Sequence, residues 1–265
     1  MKAIGVFDSG VGGLTVVKEL MRQLPNEDII YFGDTARVPY GTKSKETIIR
    51  FSLENILFLL RQEVKLIVVA CNTSSSIALT TLKRHFKIPI MGVISAGVKE
   101  AVYATKNKRV GVIATSATIN SLAYTNEIKR IDSSISVFAL ACPLFVPLVE
   151  EGWLKQKIAF DIVLKYLKPL EEARVDTLIL GCTHYPLLKS LIKKAMGRDV
   201  RLIDSAKLVA AEVKQVILEE GLSKAKSNGK PYYNFWVSDE PNKFKELAKR
   251  FLGYSLKNVR KIQSV

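Results

Sequence analysis

Two cysteines in this 265-residue chain stand where chemistry is expected, because each directly follows a short apolar run. Cys71 is followed by the polar residues NTSSS, and Cys182 by THYP. Pro186 suits the first turn of a helix, where free backbone N–H groups lower the pKa of a thiol and attract anions. The neighbours that could bind a substrate carboxylate or ammonium group are Asn72, Thr73 and Thr183.

Two equivalent thiols suit a reaction in which a proton leaves one face of a carbon and another arrives on the opposite face. One cysteine acts as thiolate while the other is a thiol, and the roles exchange with the direction of reaction. Each thiol needs a partner, and the candidates are Asp8 for one and His184 for the other. One of the pair Glu150 and Glu151 is expected to face the same site.

Two other readings of these residues stay open at this stage. A cysteine–histidine nucleophile of the thiol hydrolase kind needs one cysteine and leaves the other unexplained. A zinc site built from Cys71, Cys182 and His184 lacks the spacing that zinc motifs show. The third cysteine, Cys142, precedes a proline without polar followers and is interpreted as a small buried apolar residue.

Two turns add candidate binding groups. The turn DSGVGG over 8–13 lacks the spacing of a dinucleotide fingerprint, and Asp8 would repel a pyrophosphate. Asp8 and Ser9 are instead candidates to bind the ammonium group and an oxygen of a substrate. In GDTARVPYG over 33–41, Pro39, Tyr40 and Gly41 form a rigid loop that presents backbone groups.

The elements that must position these residues alternate between strand and helix. Continuous apolar runs predict parallel strands that are buried on both faces. The predicted strands are 3–7, 28–32, 65–70, 88–94, 109–114, 135–141, 176–181 and 232–237. The predicted helices are 13–23, 44–62, 75–86, 118–131, 155–173, 187–196, 206–220 and 241–252. This alternation predicts an α/β fold whose chemistry lies at the carboxyl ends of the strands.

An internal repeat divides the chain into two similar lobes. IGVFDSG over 4–10 resembles VGVIATSAT over 110–118, and LIVVACNTS over 66–74 resembles LILGCTHYP over 178–186. We therefore predict two pseudo-symmetric, three-layer α/β lobes with mostly parallel sheets and an active site in the cleft between them. The first lobe comprises residues 1–95 and 207–265, and the second comprises 96–206. The tail after the loop 221–231 is expected to pack on the first lobe.

Composition points to an ordinary globular protein. The chain is 48% hydrophobic and 25% charged, which excludes disordered and collagen-like classes. Its 40 basic and 25 acidic residues give a net charge of +15, but the charges are scattered. Three cysteines favour a reducing compartment over a disulfide scaffold. No stretch has the pattern of a signal peptide or a membrane span, so we expect a cytoplasmic protein without a membrane partner.

Four long motifs together resemble the glutamate racemases of the cofactor-independent aspartate/glutamate racemase family. They are GVFDSGVGGLTV, YFGDTARVPYG, VVACNTSS and LILGCTHYPLL, and they occur in order over residues 4–206. The resemblance implies two α/β lobes, interconversion of L- and D-glutamate without pyridoxal phosphate or metal, and supply of D-glutamate for peptidoglycan synthesis. It also implies a homodimer.

The resemblance assigns roles to particular positions. Cys71 would be the base for D-glutamate and Cys182 the base for L-glutamate. Asp8 would assist Cys71, and His184 would assist Cys182 with Glu150 as its neighbour. The implied substrate contacts are Asp8, Ser9, Pro39, Tyr40, Gly41, Asn72, Thr73, Thr115, Thr118, Thr183 and His184.

Two alternatives accompany this prediction. The first is aspartate racemase or another amino-acid racemase with two cysteines. The second, of another class, is a basic regulatory protein that binds nucleic acid, which the net charge motivates. A nucleic-acid partner is not expected, because the sequence shows no recognition helix, aromatic RNA-binding motif or basic arm.

Overall fold

The computed structural model of the chain describes residues 2–224 and 230–262, which contain ten strands and twelve α-helices. The strands are β1 Ile4–Asp8, β2 Ile29–Gly33, β3 Leu66–Val69, β4 Ile90–Gly92, β5 Arg109–Ala114, β6 Ser136–Ala141, β7 Thr177–Gly181, β8 Arg201–Ile203, β9 Tyr233–Val237 and β10 Val259–Lys261. The helices are α1 Leu14–Gln23, α2 Lys45–Arg61, α3 Asn72–Ile77, α4 Leu79–His85, α5 Ile94–Ala104, α6 Ser116–Asn120, α7 Ala123–Ile131, α8 Phe145–Glu150, α9 Lys157–Glu172, α10 Lys189–Met196, α11 Ser205–Glu219 and α12 Pro241–Leu252.

The strands form two parallel sheets whose topology repeats. The first sheet has the order β10-β9-β2-β1-β3-β4 and the second has the order β6-β5-β7-β8. Every pairing between neighbours is parallel. Strands β2-β1-β3-β4 therefore correspond one by one to β6-β5-β7-β8, which confirms the predicted α/β fold and the internal repeat. Cys71 follows β3 and Cys182 follows β7, so the two thiols occupy equivalent places.

Burial on both faces explains why the strands are continuous apolar runs. Along β3, Leu66 and Val68 pack in one apolar cluster, whereas Ile67 and Val69 pack in another. Successive side chains of a strand point to opposite faces, so apolar side chains cover this strand on both sides. Strand β7 alternates between two clusters in the same way. Each sheet is thus the middle of three layers.

The C-terminal segment completes the first sheet. Strand β9 pairs with β2, and β10 pairs with β9, so the tail packs where the sequence predicted. The domain boundaries at 95/96 and 206/207 stay a prediction. Residues 225–229 of the predicted loop 221–231 lie outside the described residues. Among the described residues, no helix is both long enough and apolar enough to cross a membrane.

Two predicted helices are wrong in extent. The helix over 75–86 is the pair α3 and α4, and α3 begins directly after Cys71, ahead of the predicted start at residue 75. The helix over 118–131 is the pair α6 and α7. Leu122 separates them with a φ of 57°, a left-handed conformation that interrupts the helical hydrogen bonds.

Four elements were missed by the sequence reading. Helix α5 packs against α7, α11 and β7, but its buried residues include Ala96, Gly97 and Ala101, whose small side chains give a weak apolar signal. Helix α8 is six residues long and contains Pro147. Strands β8 and β10 are three residues each and partly exposed, which gives little apolar signal.

Candidate active site

One cavity of about 400 Å³ lies between the carboxyl ends of the two sheets. Its walls come from the segments that follow six strands, β1, β2 and β3 of the first sheet and β5, β6 and β7 of the second. Cys71 and Cys182 both line it, one from each sheet. The repeat therefore brings its two equivalent thiols to a single cavity that is large enough for a small substrate.

Cys71 directly precedes α3 and is buried in a polar corner of the cavity. Its Sγ donates to Ser9 Oγ at 3.7 Å. Burial, and then the nearby charge of Asp8, raise the pKa of the Cys71 thiol to about 11. The sequence reading expected a lowered pKa at a helix N-terminus. That expectation is wrong for Cys71, because α3 is short and desolvation outweighs the attraction of its backbone N–H groups.

Cys182 lies beside an imidazole that is itself held by a carboxylate. The Sγ of Cys182 is 4.0 Å from His184 Nδ1, and His184 Nε2 is 3.0 Å from Glu150 Oε1. Burial by itself lowers the pKa of His184, but the contacts with Cys182 and Glu150 outweigh burial and raise this pKa to about 10. His184 is therefore an imidazolium at neutral pH, placed between a thiol and a carboxylate.

Asp8 connects the two sides from behind the cavity wall. The residue is fully buried, and its carboxylate accepts hydrogen bonds from the Gly10 backbone N–H at 3.0 Å and the Thr183 hydroxyl at 3.5 Å. Burial raises the pKa of Asp8, and the positive charge of His184 opposes this rise. The first sheet thus supplies a carboxylate whose hydrogen bonding reaches the residue next to Cys182.

The loop after β2 is fixed by a buried carboxylate. Asp34 is fully buried and accepts hydrogen bonds from Arg37 Nε at 2.6 Å, from Ser238 Oγ at 2.9 Å and from the Tyr40 hydroxyl. Asn55 Nδ2 donates to the same hydroxyl at 3.1 Å. The hydroxyl of Tyr40 is thereby used within the protein, so this loop offers the cavity its ring and backbone.

Three threonine hydroxyls join the two sides of the cavity. Thr73 Oγ1 lies 2.9 Å from Thr115 Oγ1 and 3.1 Å from Thr118 Oγ1, and the latter two are 2.9 Å apart. Next to them, the Tyr124 hydroxyl donates to Asn72 Oδ1 at 2.6 Å. This bond orients the amide of Asn72 and leaves its NH₂ group to bind an anion.

Two glycines allow the first sheet's loops to approach the second. A Cβ at Gly12 would lie 2.5 Å from His184 Nδ1, and a Cβ at Gly41 would lie 2.6 Å from Thr115 Cβ. Real Cβ atoms do not come this close to their neighbours. Only glycine fits at either position without displacing a residue of the site.

The structure brings most of the predicted site residues together. Those that line the cavity are Ser9, Pro39, Tyr40, Gly41, Cys71, Asn72, Thr73, Thr115, Glu150, Cys182, Thr183 and His184. Asp8 and Thr118 lie behind this wall, bonded to residues that form it. The substrate contacts expected of these two stay a prediction. Cys142 is fully buried away from the cavity, as its sequence context indicated.

The sequence reading missed an apolar part of the wall. Val38 contributes from the first side, and Pro143, Val146 and Pro147 contribute from the segment around α8. Prolines and valines in a loop and a short helix carry no chemical signal in the sequence. Their position after β2 and β6, at the carboxyl edge of each sheet, is the feature that could have indicated them.

The described residues contain no group of three or more His, Cys, Asp and Glu side chains that could hold a metal ion. The zinc arrangement of Cys71, Cys182 and His184 is therefore not formed. The chemistry that the geometry offers is acid–base chemistry by two thiols in one cavity, one of them beside an imidazolium.

Comparison with known proteins agrees with this geometry. A sequence model of the Asp/Glu/Hydantoin racemase family matches residues 4–213. The chain belongs to this family. The glutamate racemase of Geobacter metallireducens is 52% identical over 258 residues, which cover 97% of this chain and 95% of that protein.

Solved structures of the racemase family share the whole fold. Glutamate racemase RacE1 from Bacillus anthracis has a TM-score of 0.94 at 40% identity, covering 99% of this chain and 97% of that one. Glutamate racemase from Francisella tularensis, solved in complex with D-glutamate, has a TM-score of 0.93 at 43% identity with the same coverage. This racemase chain therefore shares its fold along its full length with glutamate racemases.

Proposed function

We propose that this chain interconverts L- and D-glutamate by removing a proton from one face of the α carbon and returning one to the other. The observation that carries the proposal is the placement of Cys71 and Cys182 in one cavity, from equivalent positions of the two sheets. The named relatives support glutamate as the substrate, since a protein 52% identical over 97% of this chain is a glutamate racemase.

The two sides of the cavity differ in protonation at neutral pH. His184, with a pKa raised to about 10, is positively charged and lies 4.0 Å from Cys182 Sγ, where it balances negative charge that the sulfur carries when this residue acts as the base. Cys71, with a pKa raised to about 11, is a neutral thiol. In this state Cys182 takes the α proton from L-glutamate and Cys71 gives its proton to the opposite face. The products are D-glutamate, a Cys182 thiol and a Cys71 thiolate, which is the state ready for the reverse reaction.

The cavity also provides what the carbanion intermediate needs. The apolar wall of Val38, Pro143, Val146 and Pro147 excludes water and strengthens electrostatic interactions inside the site. Polar groups gather on the walls beside the two thiols, where a carboxylate or ammonium group would bind. The residues proposed to contact the substrate are Ser9, Pro39, Tyr40, Gly41, Asn72, Thr73, Thr115, Thr183 and His184.

The direct test follows the optical activity of L-glutamate mixed with the purified protein. Circular dichroism should decay to zero without any added cofactor, and an aspartate sample measured in parallel should change far more slowly. Rapid loss of the aspartate signal with a stable glutamate signal would assign the chain to the alternative substrate. No decay in either sample would contradict the proposed function.

Substitution of the cysteines tests the two-thiol mechanism. Cys71→Ser and Cys182→Ser should each abolish racemisation, because a serine hydroxyl is far too weak an acid to exchange a proton in either role. Cys142→Ala removes the remaining thiol, which does not line the cavity, and should racemise like the wild type. Near-normal turnover by either serine variant would reject the mechanism.

We also propose that the chain works in the cytoplasm as a homodimer and supplies D-glutamate for peptidoglycan. Its three cysteines are free thiols, as a reducing compartment favours. Leu144, Trp153 and Ile158, close in sequence to the cavity-lining Pro143, are between 41% and 49% exposed and offer an apolar surface to a second copy. Light scattering after size exclusion tests the dimer, and dependence of deletion cells on added D-glutamate tests the supply role.

A further inference from the structure

Helix α12 contacts the site from outside the range 4–213 that the family comparison covers. Its Arg250 reaches the end of α8, where Nη1 donates to the Val149 carbonyl at 3.2 Å and to the Glu150 carbonyl. Gly152 leaves room for the guanidinium, because a Cβ there would meet Arg250 Nη2 at 2.8 Å.

This contact matters because α8 is short and has few internal hydrogen bonds. The turn after it satisfies the Val149 carbonyl, which accepts from the Gly152 backbone N–H at 3.1 Å, whereas Arg250 is the donor to the carbonyl of the final residue, Glu150. A cation at the C-terminus satisfies such carbonyls and complements the helix dipole. The final residue of α8 is Glu150, whose carboxylate meets His184 at 3.0 Å. Arg250 therefore fixes the backbone from which this carboxylate extends.

The next residue of α12, Phe251, touches the imidazole itself. The Phe251 ring packs edge-on against His184, with centroids 5.3 Å apart and an interplanar angle of 85°. Phe251 is buried, so the packing restricts how the imidazole can turn. Lys243, two helical turns before Arg250, places a further positive charge near Glu150. Helix α12 thus binds the backbone carbonyl of Glu150, places a positive charge near its carboxylate and packs against the ring of His184.

We propose that α12 positions the acid–base pair on the Cys182 side of the cavity, with Arg250 as the positioning residue that keeps Glu150 against His184. The inference rests on the proposed racemisation and on the base role of Cys182 toward L-glutamate. Arg250 contacts neither the cavity nor the thiols, so its effect is confined to one of the two bases.

An experiment on this proposal must separate the two bases. The enantiomers have equal free energy, so kcat/KM must be the same in both directions for every variant. The primary isotope effect is not bound in this way. With α-deuterated L-glutamate the labelled step is abstraction by Cys182, and with α-deuterated D-glutamate it is abstraction by Cys71. If a substitution weakens Cys182 as a base, proton abstraction from L-glutamate becomes more rate-limiting.

We expect Arg250→Ala to lower kcat/KM about tenfold, a fraction of what a positioned acid–base pair contributes. Its isotope effect should rise for L-glutamate and fall for D-glutamate. Arg250→Lys keeps the charge but loses the planar fork and should fall between Arg250→Ala and the wild type. Lys249→Ala removes the same charge from the neighbouring exposed position of α12 and should match the wild type in both measurements.

Thermal denaturation of each variant checks that the fold is retained. Equal activity of the alanine variants at 249 and 250 would overturn the inference, and so would a loss in Arg250→Ala with unchanged isotope effects in both directions. A wild-type protein without racemase activity would instead reject the proposed function.

Discussion

Replacement of Gly41 by alanine is expected to open the cavity from the loop after β2. The added Cβ would lie 2.6 Å from Thr115 Cβ, about 0.8 Å short of the 3.4 Å at which ordinary van der Waals contact begins. Thr115 cannot yield easily, because its hydroxyl is bonded to those of Thr73 and Thr118. The loop carrying Tyr40 and Gly41 must therefore move away from the second sheet.

The size of the effect follows from this displacement. Overpacking of this kind costs about 1–3 kcal/mol of stability, and a misplacement of about 1 Å in a catalytic site can reduce the rate about 100-fold. We expect Gly41→Ala to unfold at a lower denaturant concentration and to lose about 10- to 100-fold in kcat/KM. The measurements are chemical denaturation and racemisation of L-glutamate followed by circular dichroism.

A neighbouring substitution controls for general effects on the loop. Lys43 is exposed and does not line the cavity, so Lys43→Ala shortens a nearby side chain without inserting any atom between the two sides. It should leave both stability and turnover close to the wild type. If Gly41→Ala instead has the kcat and KM of the wild type, the tight approach of this loop to Thr115 has no part in forming the site.

Three further outcomes are expected. Glu150→Gln should lower kcat/KM about tenfold, the cost of losing a hydrogen bond between charged groups. In its pH–rate profile the alkaline limb should move to lower pH, because a contact that raises the pKa of His184 to about 10 is weakened, and an unmoved limb would argue against this pairing. Tyr40→Phe should cost about 1–3 kcal/mol in unfolding free energy, since buried Asp34 loses a donor; an unchanged denaturation midpoint would contradict this. Phe251→Leu should cost more free energy in L-glutamate turnover than in stability, because it frees the His184 ring. A racemisation assay and a thermal melt give the two costs.

Much of the fold was predictable because buried parallel strands leave a clear trace. A strand such as β3, apolar on both faces, reads as an uninterrupted apolar run whatever surrounds it. The elements that escaped prediction lack such a trace. Helix α5 buries mostly small side chains, and β8 and β10 owe their strand conformation to pairing with β7 and β9.

The protonation states of the site residues were less predictable than their identities. Both cysteines could be assigned from their place after a strand, but Cys71 has a raised pKa where the helix N-terminus predicted a lowered one. Desolvation and the field of Asp8 depend on what packs around the thiol, which the local sequence does not encode.

The amino-acid sequence by itself determined the strands, the repeat and the polar residues at the strand ends, since these depend on local composition and on the rule that parallel strands end at one edge. Only the tertiary structure decided how the halves meet. Glu150 reaches His184 across 34 residues, and Arg250 reaches Glu150 across 100, through contacts that no period or spacing records. Such contacts arise from the docking of packed layers, where shape and burial select neighbours that are distant in the chain.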